Sequence, residues 1–206
     1  MSATHSHETR PDQDVPATYY QFMEAAVREL LIEKEILTAE DIRHAIEDMD
    51  SRTPERGAEV VARAWVDPEF KRRLLENAPA AVSELDIDLG PLNLVVLENT
   101  PEAHNLIVCT LCSCYPRFLL GLPPDWYKSR EYRSRSVREP RAVLREFGTE
   151  IPDNVPVRVH DSTADLRYLV LPQRPEGTDD CSEQDLAALV GRDAMIGVTV
   201  VQPPLS

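Results

Sequence analysis

The chain has 206 residues, 42% of them hydrophobic, and carries 22 Lys and Arg against 36 Asp and Glu for a net charge of −14. That apolar content is enough for one substantial core or two small ones. The negative excess repels phosphate backbones and anionic membrane surfaces, which argues against nucleic acid or lipid as a partner. No apolar run approaches the roughly 18 residues of a spanning helix. Residues 1–16 are polar, with His5 and His7, and have neither the basic start nor the apolar stretch of a secretory signal. They read as a disordered tail, and the protein reads as cytoplasmic.

From Thr18 to Lys34, Phe22, Ala26, Leu30 and Leu31 recur near helical spacing, and a second helix starts at Thr38 with Asp41 three residues on as a capping-box variant. Helices are also predicted over Pro54 to Trp65 and from Asp67-Pro68, where Asp caps and Pro takes the first helical position. Beyond Gly90-Pro91 the character changes. Leu92 to Leu97 is short, apolar and β-branched enough for a strand. Further strands are predicted at Asn105 to Val108, Val155 to His160, Tyr168 to Leu171 and Ile196 to Val201, with helices around Trp126 to Ser136, Pro140 to Phe147 and Ser182 to Val190. The expected fold is α+β: a helical N-terminal arm over 17–89, then a layered α/β domain over 90–206. The 17 prolines against 7 glycines imply rigid connecting loops.

Three of the four cysteines, Cys109, Cys112 and Cys114, fall within six consecutive positions, while Cys181 stands alone. Clustered thiols in a chain with no secretory signal point to metal or redox chemistry rather than to a disulfide framework. If Cys112 and Cys114 bind one metal through sulfur, the amides of Ser113 and Cys114 come within bonding distance. The small chelate rings then place four donors in a plane. Cys109 can supply a fifth from below, leaving a sixth octahedral position open. Amides lose their protons only to a strongly polarising ion, which favours cobalt(III) or iron(III). Such an ion can act as a Lewis acid on a nitrile nitrogen or lower the pKa of bound water. Spacing alone fits zinc equally well, with His104 or Cys181 as fourth ligand.

Val108-Cys109-Thr110-Leu111-Cys112-Ser113-Cys114, together with Glu98-Asn99-Thr100-Pro101 and His104-Asn105, resembles the metal-binding region of nitrile hydratase alpha subunits. The resemblance continues through Gly121 to Lys128, Arg138 to Arg141, Arg167-Tyr168, Leu171 to Pro175 and Met195 to Val198. It implies a carbon-nitrogen lyase that hydrates a nitrile to the amide. The implied metal ligands are the sulfurs of Cys109, Cys112 and Cys114 and the amides of Ser113 and Cys114, around a low-spin trivalent ion. Cys109 would stay a thiolate, Cys112 become a cysteine sulfinic acid and Cys114 a cysteine sulfenic acid. Thr110, where iron-type members carry Ser, matches the cobalt type, with iron(III) the second choice. The catalytic roles fall to Cys114, whose sulfenate oxygen acts as nucleophile or base while the metal activates the nitrile, and to the Ser113 hydroxyl, which assists by hydrogen bonding. A homologous beta subunit, in one or two chains, would complete a hetero-oligomer and hold the oxidised sulfurs with arginines. An activator protein for metal insertion is also implied.

After Cys114-Tyr115-Pro116 the family continues with Trp and Pro, whereas this chain has Arg117 and Phe118. An arginine here resembles the gamma subunit of thiocyanate hydrolase, which turns thiocyanate into carbonyl sulfide and ammonia. Arg117 and Tyr115 are therefore candidate substrate contacts, for a small nitrile, a large polar nitrile or thiocyanate. From another class, a non-catalytic zinc-binding or metal-carrier module would use the same cysteines. His104 is expected to be structural and Trp126 to lie at an interface. The basic run of Arg133, Arg135, Arg138 and Arg141 is expected to meet an acidic partner or to pair along its own helix.

Overall fold

A computed structural model describes residues 18–204; the expected disordered tail, with His5 and His7, lies outside the described residues. Two compact units divide after Glu47. The first contains helix α1 (Tyr19–Glu33) and most of α2 (Ala39–Asp50). Thr18 caps α1 in a capping box with Gln21. Before α2 the predicted reciprocal bonds are present: Asp41 N donates to Thr38 Oγ1 at 3.1 Å, and Thr38 N to Asp41 Oδ2 at 2.9 Å. Neither helix has a buried residue, and Tyr20, Phe22, Met23, Val27 and Leu30 are all exposed.

The second unit begins at Asp48. It contains α3 (Pro54–Val66), α4 (Pro68–Glu76), α5 (Ala78–Ser83), β1 (Asn93–Glu98), β2 (His104–Val108), α6 (Arg117–Leu120), α7 (Asp125–Lys128), α8 (Arg130–Arg138), α9 (Pro140–Glu146), β3 (Val157–Asp161), β4 (Leu166–Leu171), α10 (Glu183–Leu189) and α11 (Arg192–Ile196). Local chemistry sets the helix starts. Asp67 Oδ1 accepts from the amides of Glu69 and Phe70, with Pro68 in the first turn, and Ser182 forms a capping box with Asp185. Where one helix was predicted over Trp126 to Ser136, Ser129 instead ends α7 and caps α8, its hydroxyl accepting from Tyr132 N at 3.1 Å. The sequence reading also passed over the short helices α5, α6 and α11.

The strands form two parallel pairs, β1 with β4 and β2 with β3. Parallel pairing requires both faces covered, and β2 is buried at all five positions. One core joins Leu94 and Val96 of β1, Leu106 to Val108 of β2 and Leu169 to Leu171 of β4 with Val60, Val61, Phe70, Leu74 and Val82 of α3–α5 and Tyr127, Tyr132 and Leu144 of α7–α9. Each large side chain buried there contributes about 1.5–3 kcal/mol of transfer free energy. The core therefore runs continuously across residue 90, the point where the composition changes. In α3, Gly57 lets the helix lie against Leu120 and Met195, whose atoms would sit 2.6 and 2.7 Å from any Cβ there.

The strand predicted at Ile196 to Val201 is not formed. Ile196 ends α11, and Gly197 follows in the left-handed region at φ +88°. A Cβ on Gly197 would lie 2.0 Å from Asn105 O, so only glycine can pass this close to the start of β2. The carbonyls that a ladder would use are taken by side chains: Thr149 Oγ1 donates to Val198 O at 2.8 Å, and His104 Nε2 to Gly197 O at 2.7 Å. Trp126, expected at an interface, packs edge-on against Tyr132 and Phe147 with ring centroids 4.8 and 4.7 Å away, inside the α7–α9 aromatic cluster. Among the described residues no helix is long and apolar enough to cross a membrane.

Candidate metal centre

The register of β2 on β3 pairs Val108 with Asp161, so the chain leaves its last buried strand position directly beside a carboxylate. Asp161 then seizes the start of the loop. Its Oδ1 accepts from Thr110 N at 2.9 Å and its Oδ2 from Thr110 Oγ1 at 2.6 Å. Ser162 N donates to Val108 O at 2.7 Å, carrying the pairing one residue further. From α7 and α8, Tyr127 OH donates to Cys114 O at 2.8 Å and Tyr132 OH to Ile107 O at 2.6 Å. Arg133 approaches the carbonyls of Thr110 and Cys112 at 3.5 and 3.4 Å. Burial is the main cause that holds both tyrosine phenols above their ordinary value, so they remain protonated donors at neutral pH.

Held this way, the loop folds its three sulfurs together. Cys109 Sγ lies 3.1 Å from Cys112 Sγ, which lies 3.0 Å from Cys114 Sγ, and all three fall within 4.8 Å of one another. Cys109 is buried at the end of the strand, Cys114 is half-buried and Cys112 is exposed. The thiols of Cys114 and Cys109 hydrogen-bond to Cys112 and, helped by the backbone amides of Cys114 and Ser113, lower its pKa to about 7. Burial first, and then the neighbouring Cys112, pushes Cys114 up to about 12. Cys112 and Cys114 are thus shifted in opposite directions and do not ionise together, which a cation would relieve because its charge stabilises both thiolates at once. The Ser113 and Cys114 amides hydrogen-bond toward the Cys112 sulfur, and the three sulfurs lie close enough together to share one ion. Among the described residues this group comprises three side chains and includes neither His104 nor Cys181, one short of the four that structural zinc takes.

His104 sits at the opposite end of β2, roughly 13 Å away along the strand. Its Nε2 donates to Gly197 O and its Nδ1 accepts from Asn99 Nδ2 at 3.2 Å. Asn99 Oδ1 in turn accepts from Asn105 N at 2.7 Å, and Asn105 Oδ1 accepts from His160 Nε2 at 2.9 Å. Burial lowers the pKa of His104. The expected structural role is the one observed.

Of the other residues predicted for the site, Ser113 is half-buried within the loop. Tyr115 is buried, its ring edge-on to Tyr127 at 5.1 Å between centroids and its hydroxyl without a hydrogen-bond partner. Arg117 opens α6, exposed, and its side chain has no ion pair or hydrogen bond among the described residues. The sequence reading missed Asp161, and Arg133 in this role. Asp161 is 51 residues from Thr110 and carries no local signal, whereas Arg133 was visible only as part of a basic run.

A parallel-stranded α+β chain that ends a buried strand in three converging thiols is a metal-thiolate subunit by fold and by site. The family described as nitrile hydratase, alpha chain, matches residues 18–199. The low-molecular weight cobalt-containing nitrile hydratase subunit alpha of Rhodococcus rhodochrous is 50% identical over 181 residues, covering 87% of each chain. The thiocyanate hydrolase subunit gamma of Thiobacillus thioparus is 43% identical over 199 residues, covering 91% of this chain and 82% of the relative. A double mutant of the Fe-type nitrile hydratase from Comamonas testosteroni superposes with a TM-score of 0.86 at 41% identity, covering 92% of this chain and 94% of that one. The chain belongs to the nitrile hydratase alpha-chain family, whose members are subunits of enzymes that hydrate nitriles.

Proposed function

We propose that this chain is the metal-carrying catalytic subunit of a cobalt-type nitrile hydratase, converting a nitrile to its amide. The observation that carries the reading is the convergence of three sulfurs within 4.8 Å of one another, with the Ser113 and Cys114 amides directed at the Cys112 sulfur. Cys109, Cys112 and Cys114 would hold a low-spin trivalent cobalt through sulfur, with Ser113 and Cys114 adding amide nitrogens, and iron(III) is the second choice. The bound ion would supply Lewis acidity toward a nitrile or water. Cys112 as sulfinic acid and Cys114 as sulfenic acid complete the reading. Cys114 and Ser113 are the catalytic side chains, and Tyr115 packs behind the loop. A beta subunit, in one or two chains, would bring arginines to the oxidised sulfurs, and an activator protein would load the metal. Of the arm over residues 17–89, the exposed apolar side chains of α1 fit the part that reaches that subunit, while α3–α5 pack on the catalytic domain over residues 90–206. The setting is cytoplasmic, where thiols stay reduced until the metal arrives.

A second reading is favoured by Arg117. A free guanidinium three residues after Cys114 suits an anion, and the gamma subunit of thiocyanate hydrolase is among the relatives. Steady-state assays of the purified complex on an uncharged nitrile and on thiocyanate decide between the two, and turnover of thiocyanate alone sinks the nitrile assignment. Peptide mass spectrometry across Cys109 to Cys114, with metal analysis, tests the centre itself. The proposal requires cobalt with two and one added oxygens on Cys112 and Cys114. Zinc on unmodified thiols would make this a metal carrier instead.

A further inference from the structure

The basic residues of α8 and the start of α9 separate, in the structure, into arginines with strong partners in the fold and arginines without a carboxylate partner. Arg135 is consumed by Glu139 and Glu146, its Nε and Nη2 each 2.6 Å from a carboxylate oxygen. Arg141 is consumed by carbonyls, chiefly Ile151 O at 2.8 Å and Val155 O. Arg130, Arg133 and Arg138 face no carboxylate within ion-pair distance among the described residues, in a chain whose net charge is −14. Arg133 makes only long bonds to carbonyls, and Arg138 bonds Ser134 in the preceding turn. Arg130 has no side-chain hydrogen bond among the described residues. It also occupies the first position of α8, where the positive end of the helix dipole disfavours a cation. The fold gains nothing from an arginine there.

The spacing 130, 133, 134, 137, 138 runs i, i+3, i+4, i+7, i+8, which is one face of a helix. Those residues, with Thr110, line an open groove of about 490 Å³ that reaches the start of the cysteine loop. Two exposed apolar side chains accompany them: Val137 in the groove, 52% exposed, and Leu111 in the loop, 90% exposed. The volume is more than ten times the roughly 30 Å³ that a water occupies, which suits several side chains better than one small anion. Arginine forks take carboxylates two bonds at a time, and arginine beside apolar contact is typical of buried interface centres.

We infer that this face of α8 docks an acidic segment of the partner subunit, with at least two carboxylates on Arg130, Arg133 and Arg138 and an apolar residue against Val137. The segment would lie along the rim of the cysteine loop. Because Arg133 already touches the carbonyls of Thr110 and Cys112, carboxylates seated on the stripe would fix that contact and tie assembly to loop geometry. The inference rests on the proposed function only in taking the partner to be the beta-type subunit.

The test measures association of the full chain with its co-expressed beta-type subunit, comparing native arginines with Arg130→Glu/Arg138→Glu and, should that variant misfold, with Arg130→Gln/Arg138→Gln. The result expected is affinity weakened at least tenfold, with a flatter salt dependence than the native pair shows. A photo-crosslinker at position 137 should capture a partner peptide carrying two or more Asp or Glu. Native affinity and salt dependence in a folded variant overturn the inference. So does capture of a peptide without carboxylates, or binding of inorganic phosphate or RNA at the stripe while assembly is unaffected. A complex that needs the stripe yet holds no cobalt or hydrates no nitrile would overturn the proposed function and leave this inference standing.

Discussion

At its N-terminal end β2 opens on His104 and Asn105, buried side chains whose hydrogen-bonding atoms are matched by Asn99, Gly197, Glu98 and His160. At its C-terminal end the same strand passes into three cysteines whose side-chain partners, among the described residues, are one another. Both ends carry residue types that bind metals, and both are held by side chains far away in sequence. They differ in satisfaction. The histidine end is closed, so its chemistry is spent on stability. The cysteine end has a backbone tied down at Thr110, Cys112 and Cys114 around sulfurs left for a ligand, and that combination of a held frame with open ligands is what a preorganised metal site requires.

The largest expected effect breaks the open end. Cys109→Ser or Cys112→Ser should abolish cobalt retention and cut nitrile hydration by about 1000-fold or more, since an ion acting as Lewis acid contributes several kcal/mol to the barrier. The melting temperature of the metal-free chain should barely move. A serine variant that keeps stoichiometric metal in elemental analysis would contradict the ligand assignment.

His104→Ala should do the reverse. Leaving the Asn99 amide and the Gly197 carbonyl unpaired in a buried site costs about 2–3 kcal/mol, read by urea unfolding of the metal-free chain. Metal content and kcat of what folds should stay at the native level. Loss of metal in a folded His104→Ala protein would mean that the two ends are not separate.

Asp161→Asn tests the frame around the open end. It keeps the shape but removes the negative charge, so both bonds to Thr110 lose their charge assistance and the Thr110 hydroxyl must turn from donor to acceptor. The expected outcome is about a tenfold loss of metal affinity or turnover, with far-UV circular dichroism and melting temperature little altered. A variant with normal cobalt uptake and rate would show that Thr110 needs no anchor on β3.

These three positions also mark how far the sequence could be read. The cysteines were legible because their spacing is the chemistry, and the helix starts at Thr38 and Asp67 because a cap is a local contract between neighbours. The structural role of His104 is the expected one, but its partner Gly197 is 93 residues away and nothing near either residue announces it. That same contact is why the strand expected at Ile196 to Val201 failed: alternation of apolar residues suggested a ladder, while the carbonyls had been committed to side chains across the fold. Asp161 was illegible for the same reason. Its role exists only because β3 pairs in parallel with β2 in a register that one sequence does not display. Arg133 and Arg138 were visible as charge and Arg130 was not singled out, because which arginines lack a carboxylate depends on where Glu139, Glu146 and the carbonyls of 151–155 lie.

The smallest expected effect sharpens the closed end. Burial, partly offset by the bond to Gly197, lowers the pKa of His104 from its ordinary 6.5, and burial with the charge of Arg158 lowers His160 in the same direction. Below pH 6.5 the unfolded chain therefore binds protons at these sites that the folded chain refuses. Unfolding free energy must fall as pH drops from 6.5 toward the folded-state values, while above 6.5 both imidazoles are neutral in both states and contribute no slope. Urea titrations of the metal-free chain between about pH 5 and 7.5 should show this decline. In His104→Gln, which keeps a polar side chain but cannot titrate, the decline should be shallower. An equal slope in the two proteins would mean that His104 accepts its proton in place, and the closed end of β2 would then be less closed than its hydrogen bonds make it.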